Sequence, residues 1–206
     1  MIAEGPAANR PPHMTLEPLL LFSRSLTAAV LILALGAGGC DRQSAEKAQP
    51  QAASDAPAAK LDRTHRGTDL PPITVTDASG KSLALSSLKG KPVLINLWAT
   101  WCAPCVVELP TLNAIAGRAD LNLAVVTISQ DMAQTEKVQA FLDQRGLAQL
   151  PAWLDTKGDL AFHYGVQTLP ATIFYDAAGK EVWRFMGERD WRSKESMELL
   201  AEGGAR

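Results

Sequence analysis

Two hydrophobic periods take turns along the second two-thirds of this chain. Ile73-Thr74-Val75-Thr76 alternates apolar and polar residues, and so does Ser82-Leu83-Ala84-Leu85. The polar Asp77-Ala78-Ser79-Gly80 between them completes a predicted β-hairpin. Pro92-Val93-Leu94-Ile95-Asn96-Leu97-Trp98 is almost continuously apolar, the pattern of a central strand covered on both faces. Val106, Leu109, Leu112 and Ala116 then give a helical stripe ending near Gly117, with Pro110 expected to kink the helix. Leu121 to Ile128 reads as a second buried strand, and Val138, Phe141 and Leu142 mark an amphipathic helix that stops at Gly146. A short strand over 152–154 and a helical turn over 159–164 come next. Residues 171–175 and 181–185 then form an antiparallel hairpin around Asp176-Ala177-Ala178-Gly179, and 193–201 a last helix. Strands that first alternate with helices and then close on an antiparallel pair predict a mixed α/β sandwich.

Upstream of this region the pattern changes twice. Residues 26–39 form an uncharged apolar stretch after Arg24 that ends in small residues before Cys40, the layout of a signal peptide. The stretch is shorter than the ~20 residues that a membrane span prefers, although adding Leu19 to Phe22 makes a charge-interrupted anchor. Residues 1–13 are polar and contain proline, unlike the start of a signal sequence, so both Met1 and Met14 stand as starts. From Asp41 to about Thr68 the chain is rich in Ala, Gln, Asp, Lys, Ser and Pro, without an aromatic residue, and reads as a linker. The expected organisation is an export signal or anchor over 1–40, a flexible linker over 41–69, and one folded domain over 70–206. The net charge is -2 and no Lys/Arg cluster is present, which argues against a nucleic-acid partner.

The candidate chemistry sits where the apolar strand runs into the first helix. Trp101-Cys102-Ala103-Pro104-Cys105 places Cys102 at the helix start, where unpaired N–H groups and the macrodipole favour a thiolate. Cys105 follows one turn later on the same face, within reach to resolve a mixed disulfide. A structural zinc site would need four ligands, and beyond this pair the chain offers only Cys40 and three histidines, none paired at zinc-like spacing.

With Thr168-Leu169-Pro170 later in the chain, ahead of a hairpin strand, this motif resembles the thioredoxin fold. The longer pattern Trp-Cys-X-Pro-Cys-X-X-Glu-X-Pro, ending at Glu108 and Pro110, joins the N-terminal hairpin and the extra helix and strand between residues 133 and 155. Together they make residues 70–202 similar to the TlpA/ResA-like family of membrane-tethered extracytoplasmic thiol-disulfide oxidoreductases, which includes the cytochrome c maturation thioredoxins. The resemblance implies a thioredoxin-like three-layer sandwich with an N-terminal β-hairpin and a central helix-strand insertion.

It also implies roles for individual residues. Cys102 attacks and Cys105 resolves. Glu108 transfers a proton in place of thioredoxin's buried Asp, whose position is taken here by Asn96. Pro170 is cis, and Trp101, Thr168, Leu169 and Pro170 bind substrate. No cofactor beyond the redox-active disulfide and no metal is implied, and the partners are protein disulfide or thiol clients and a membrane electron donor. Ala103-Pro104 puts neither charge nor imidazole between the cysteines, which favours a reductant.

The small residues before Cys40 resemble a bacterial lipoprotein signal, with Ala37 where that signal usually has Leu. Asp41 fits retention at the inner membrane, on the periplasmic side. Lipid attachment at Cys40, an uncleaved anchor and ordinary cleavage stand as alternatives. A second functional reading is a copper-binding chaperone using Cys102, Cys105 and His163, although proteins of that kind normally carry Cys-X-X-X-Cys.

Overall fold

The computed structural model describes residues 60–132 and 135–205. Cys40, with the expected export segment and most of the expected linker, lies outside them. In chain order the elements are β1 (Lys60–Asp62), β2 (Thr74–Thr76), β3 (Ser82–Ala84), β4 (Val93–Trp98), α1 (Ala103–Ala116), β5 (Ala124–Ser129), α2 (Thr135–Gln144), β6 (Trp153–Leu154), α3 (Asp159–Tyr164), β7 (Ala171–Tyr175), β8 (Glu181–Met186) and α4 (Lys194–Ala201). The strands make one sheet in the order β1-β8-β7-β4-β5-β6-β2-β3.

The apolar run of β4 is explained by its place. It pairs in parallel with β5 and antiparallel with β7, and all six of its residues are buried. Alternation sends Leu94 and Trp98 into a core with Leu109, Leu112 and Ile115 of α1. Val93, Ile95 and Leu97 face a second core with Leu160 and Tyr164 of α3. Helices on both faces of a mixed sheet give the three layers. The insertion works as a bridge: β6 pairs in parallel with β5 and meets β2 at Thr76↔Leu154, which attaches the N-terminal hairpin to the sheet.

Two boundaries differ from the sequence reading. Residues 60–69, expected as linker, are part of the fold: Lys60, Leu61 and Asp62 pair with Met186, Phe185 and Arg184 of β8. Gly67 N–H donates to Glu181 O and Glu181 N–H to Thr68 O, each at 2.8 Å. Backbone pairing with an open sheet edge needs no apolar run, so this polar segment gave no sequence signal. The second strand starts at Ala124 rather than Leu121, because Leu121 and Leu123 lie in a tight turn closed by Leu123 N–H to Leu121 O at 2.8 Å. Pro110 stands inside α1, which continues to Ala116 and is capped by Gly117.

Candidate functional site

The strand β4 delivers the chain to α1 at one end of the sheet, and the register Leu97↔Ala171 puts Pro170 at the same end. Cys102 is the N-cap of α1, with extended backbone, and its Sγ accepts the N–H of Cys105 at 3.3 Å. Pro104, in the first turn, has no N–H to leave unsatisfied. The two cysteines are joined as a disulfide. Cys102 keeps 6% exposure whereas Cys105 has none, so only the first sulfur can meet an incoming group. Unpaired amides and the positive end of α1 converge on that sulfur, which favours its thiolate once the bond is reduced.

The Leu169-Pro170 peptide bond is cis. Beside it lies a groove of about 450 Å³ walled by Trp101 and Met132 on one side and by Val166, Thr168 and Leu169 on the other. Trp101 and Met132 are each 71% exposed, large apolar surfaces left without cover.

Beneath the disulfide, Glu108 is buried one turn after Cys105 on α1. Its Oε1 accepts Asn96 Nδ2 at 2.7 Å and its Oε2 accepts the N–H of Arg189 at 3.2 Å. Burial pushes its carboxyl up to about 8, against the pull of these two donors. The segment that carries Arg189 follows β8 and is fixed to α4: Arg189 Nε donates to Ser196 Oγ at 2.7 Å, and Ser196 Oγ donates to Asp190 O at 2.6 Å. Trp191 N–H donates to Thr111 Oγ1 at 3.2 Å, joining the same segment to α1.

Sequence reading did not find Arg189, Trp191 or Asp131 as parts of the site. Asp131 follows β5 and holds Thr100, two residues before Cys102. A carboxylate ending a buried strand is a weak signal by itself, and its partner is 31 positions away. His163, by contrast, does not join the cysteines. It lines a separate cleft with Asp62, His65 and Arg184. Among the described residues, no group of three or more His, Cys, Asp or Glu side chains is placed to hold a metal ion.

The sequence pattern of the AhpC/TSA family matches residues 66–183, more than half of the chain. The chain belongs to that family. Within it, thiol-disulfide oxidoreductase ResA of Bacillus anthracis is 36% identical over 133 residues, covering 64% of this chain and 74% of that protein. ResA of Bacillus cereus is 34% identical over 140 residues, 68% of this chain and 78% of that one. Among solved structures, the exposed lipoprotein thioredoxin Etrx1 of Streptococcus pneumoniae aligns with a TM-score of 0.53 at 30% identity, covering 63% of this chain and 98% of that one. A secreted disulfide oxidoreductase of Mycobacterium tuberculosis, homologous to E. coli DsbE, aligns with a TM-score of 0.51 at 27% identity, covering 64% and 93%. This AhpC/TSA-family protein has the thioredoxin-like fold and is a thiol-disulfide oxidoreductase of the ResA/DsbE type, working by dithiol/disulfide exchange.

Proposed function

We propose that this oxidoreductase reduces disulfides of exported proteins outside the cytoplasm, on the periplasmic face of the inner membrane, to which its N-terminal segment tethers it. One observation carries the direction of attack: Cys102 meets solvent at a helix N-terminus while Cys105 and Glu108 are sealed below it. In the reduced protein the Cys102 thiolate attacks a client disulfide. A Cys102–client S–S bond forms, the client S–S bond breaks, and the client's other sulfur leaves as a thiolate. Cys105 gives its proton to the Glu108 carboxylate, and the Cys105 thiolate attacks Cys102 Sγ. The Cys102–Cys105 bond forms as the second client sulfur departs, and two electrons have passed to the client. A membrane-held dithiol donor then restores the pair.

The groove beside the cis Leu169-Pro170 bond suits an extended client segment, with backbone groups of Thr168 and Leu169 on one side and Trp101 on the other. Support for the location comes from the apolar stretch before Cys40 and from relatives described as secreted or as an exposed lipoprotein. The test is Cys105→Ser in the 206-residue chain, which leaves the mixed disulfide unresolved. Covalent client adducts are expected on nonreducing gels and vanish in Cys102→Ser. A Cys102–Cys105 potential near or below thioredoxin's, about -270 mV, is expected, and one near DsbA's, about -120 mV, would reverse the proposed direction.

A further inference from the structure

Trp101, Gln130 and Met132 wall the groove beside the cis Leu169-Pro170 bond, and the same three residues wall a second cavity of about 400 Å³ with Thr100, Asp131 and Val138. They therefore form the ridge between the two. Gln130 is the one amide side chain of that ridge, set among two large apolar ones. The sheet fixes its place: it follows β5 directly, and its backbone N–H donates to Trp98 O at 2.8 Å, where β4 ends and the chain turns towards Cys102.

The side chain itself is not held. Gln130 Nε2 is buried and has no hydrogen-bond partner. The polar groups that follow and precede it in the chain are engaged with one another. The Asp131 carboxylate accepts the Thr100 N–H, the Thr100 hydroxyl and the Ser129 hydroxyl, and Ser129 Oγ accepts the N–H of Asp131 at 3.0 Å. A donor left unpaired under cover costs free energy, and native folds keep few of them without a reason. The last torsion of a glutamine is broad, so this amide can turn towards the groove with little strain.

An extended client segment supplies the reason. Such a segment carries C=O and N–H groups along both of its edges, and each needs a partner once water is displaced. In the groove one edge runs along the backbone of Thr168 and Leu169, and the other runs along the ridge. We propose that Gln130 is a client-binding residue, its amide N–H donating to a backbone carbonyl of the client on the edge opposite the cis-proline loop. The client is then held from both edges over Cys102. This deepens, and rests on, the reading of the groove as the client site. A bond to the backbone is indifferent to client side chains, so it serves peptides of varied sequence, while a disulfide without peptide groups gains nothing from it.

The experiment is steady-state disulfide exchange by the 206-residue chain with two substrates, a disulfide-bonded peptide and bis(2-hydroxyethyl) disulfide. Gln130→Met keeps the length of the side chain and removes the amide, and Gln130→Glu keeps the shape and removes the donors. Both are expected to raise KM for the peptide about three- to tenfold, with kcat and the rate on the small disulfide unchanged. Gln130→Met should unfold in urea no earlier than the unaltered protein, because it replaces an unpaired buried donor by an apolar group. A peptide KM unmoved in both variants would overturn the assignment. So would an equal loss on the small disulfide, which would mean a disturbed Cys102 and not a lost client contact. The client reading fails separately: if Cys105→Ser traps no adduct, the groove loses its client, whereas trapped adducts with an unmoved peptide KM remove only the role of Gln130.

Discussion

The Asp131 carboxylate holds Thr100 twice, accepting its backbone N–H at 2.9 Å and its hydroxyl at 2.7 Å. A third bond, from Ser129 Oγ at 2.6 Å, fixes the carboxylate to the end of β5. The loop that presents Trp101 and Cys102 is thereby clipped to the strand beside it. Asp131→Ala strips an acceptor from three partly buried donors and is expected to cost about 1–3 kcal/mol in urea unfolding. It should also slow exchange with a disulfide peptide several-fold, and Asp131→Asn, which keeps one acceptor oxygen, should recover part of both.

Glu108 makes stability depend on pH. Its carboxyl sits at about 8 in the fold against an ordinary value of 4.5, so the folded chain holds the proton more tightly than the unfolded one. The resulting stabilisation is complete below the ordinary value and is lost as pH rises through the folded one. Relative to Glu108→Gln, which stays neutral, the unaltered protein should lose stability across that interval at up to about 1.4 kcal/mol per pH unit, read by urea unfolding. Glu108→Gln should also slow resolution of a trapped mixed disulfide by about 10²-fold or more, read by rapid-mixing kinetics.

Trp101 is exposed and adds little to folding. Trp101→Ala should leave unfolding within about 0.5 kcal/mol of the unaltered protein. It removes one wall of the groove, and KM for a disulfide-bonded peptide should rise about tenfold while kcat changes less.

Arg184 and Glu181 form a buried pair on β8, with Nε to Oε1 at 2.6 Å and Nη2 to Oε2 at 3.0 Å. Arg184 Nη1 also donates to Tyr164 O at 3.0 Å, linking β8 to α3. Arg184→Met strands a buried carboxylate and should cost about 3–5 kcal/mol, while changing both residues to Met should return most of it. Denaturant midpoints of the single and double variants decide this.

What the sequence revealed, it revealed through local pattern. The apolar run of β4, the helix opening at Cys102 and stopping at Gly117, and the two hairpins are each written within a dozen neighbouring residues. Pro170 was legible through resemblance, and its bond is cis. What stayed hidden depends on contacts between distant parts of the chain. Lys60–Asp62 is a strand because β8 offers it an edge. Trp191 looks like an isolated aromatic before the last helix, yet it is fully buried and stacks on Trp183 with ring centroids 6.1 Å apart. Asn96 announced itself as the polar break in an apolar run, but its link to Glu108 and Thr172 needed the sheet register.

One rim of the sheet is β3, a strand of three residues. A rim that short cannot hold the register of an added strand, which is how folded proteins most often knit into polymers. Copies brought together at high concentration therefore gain little by adding strands at this rim.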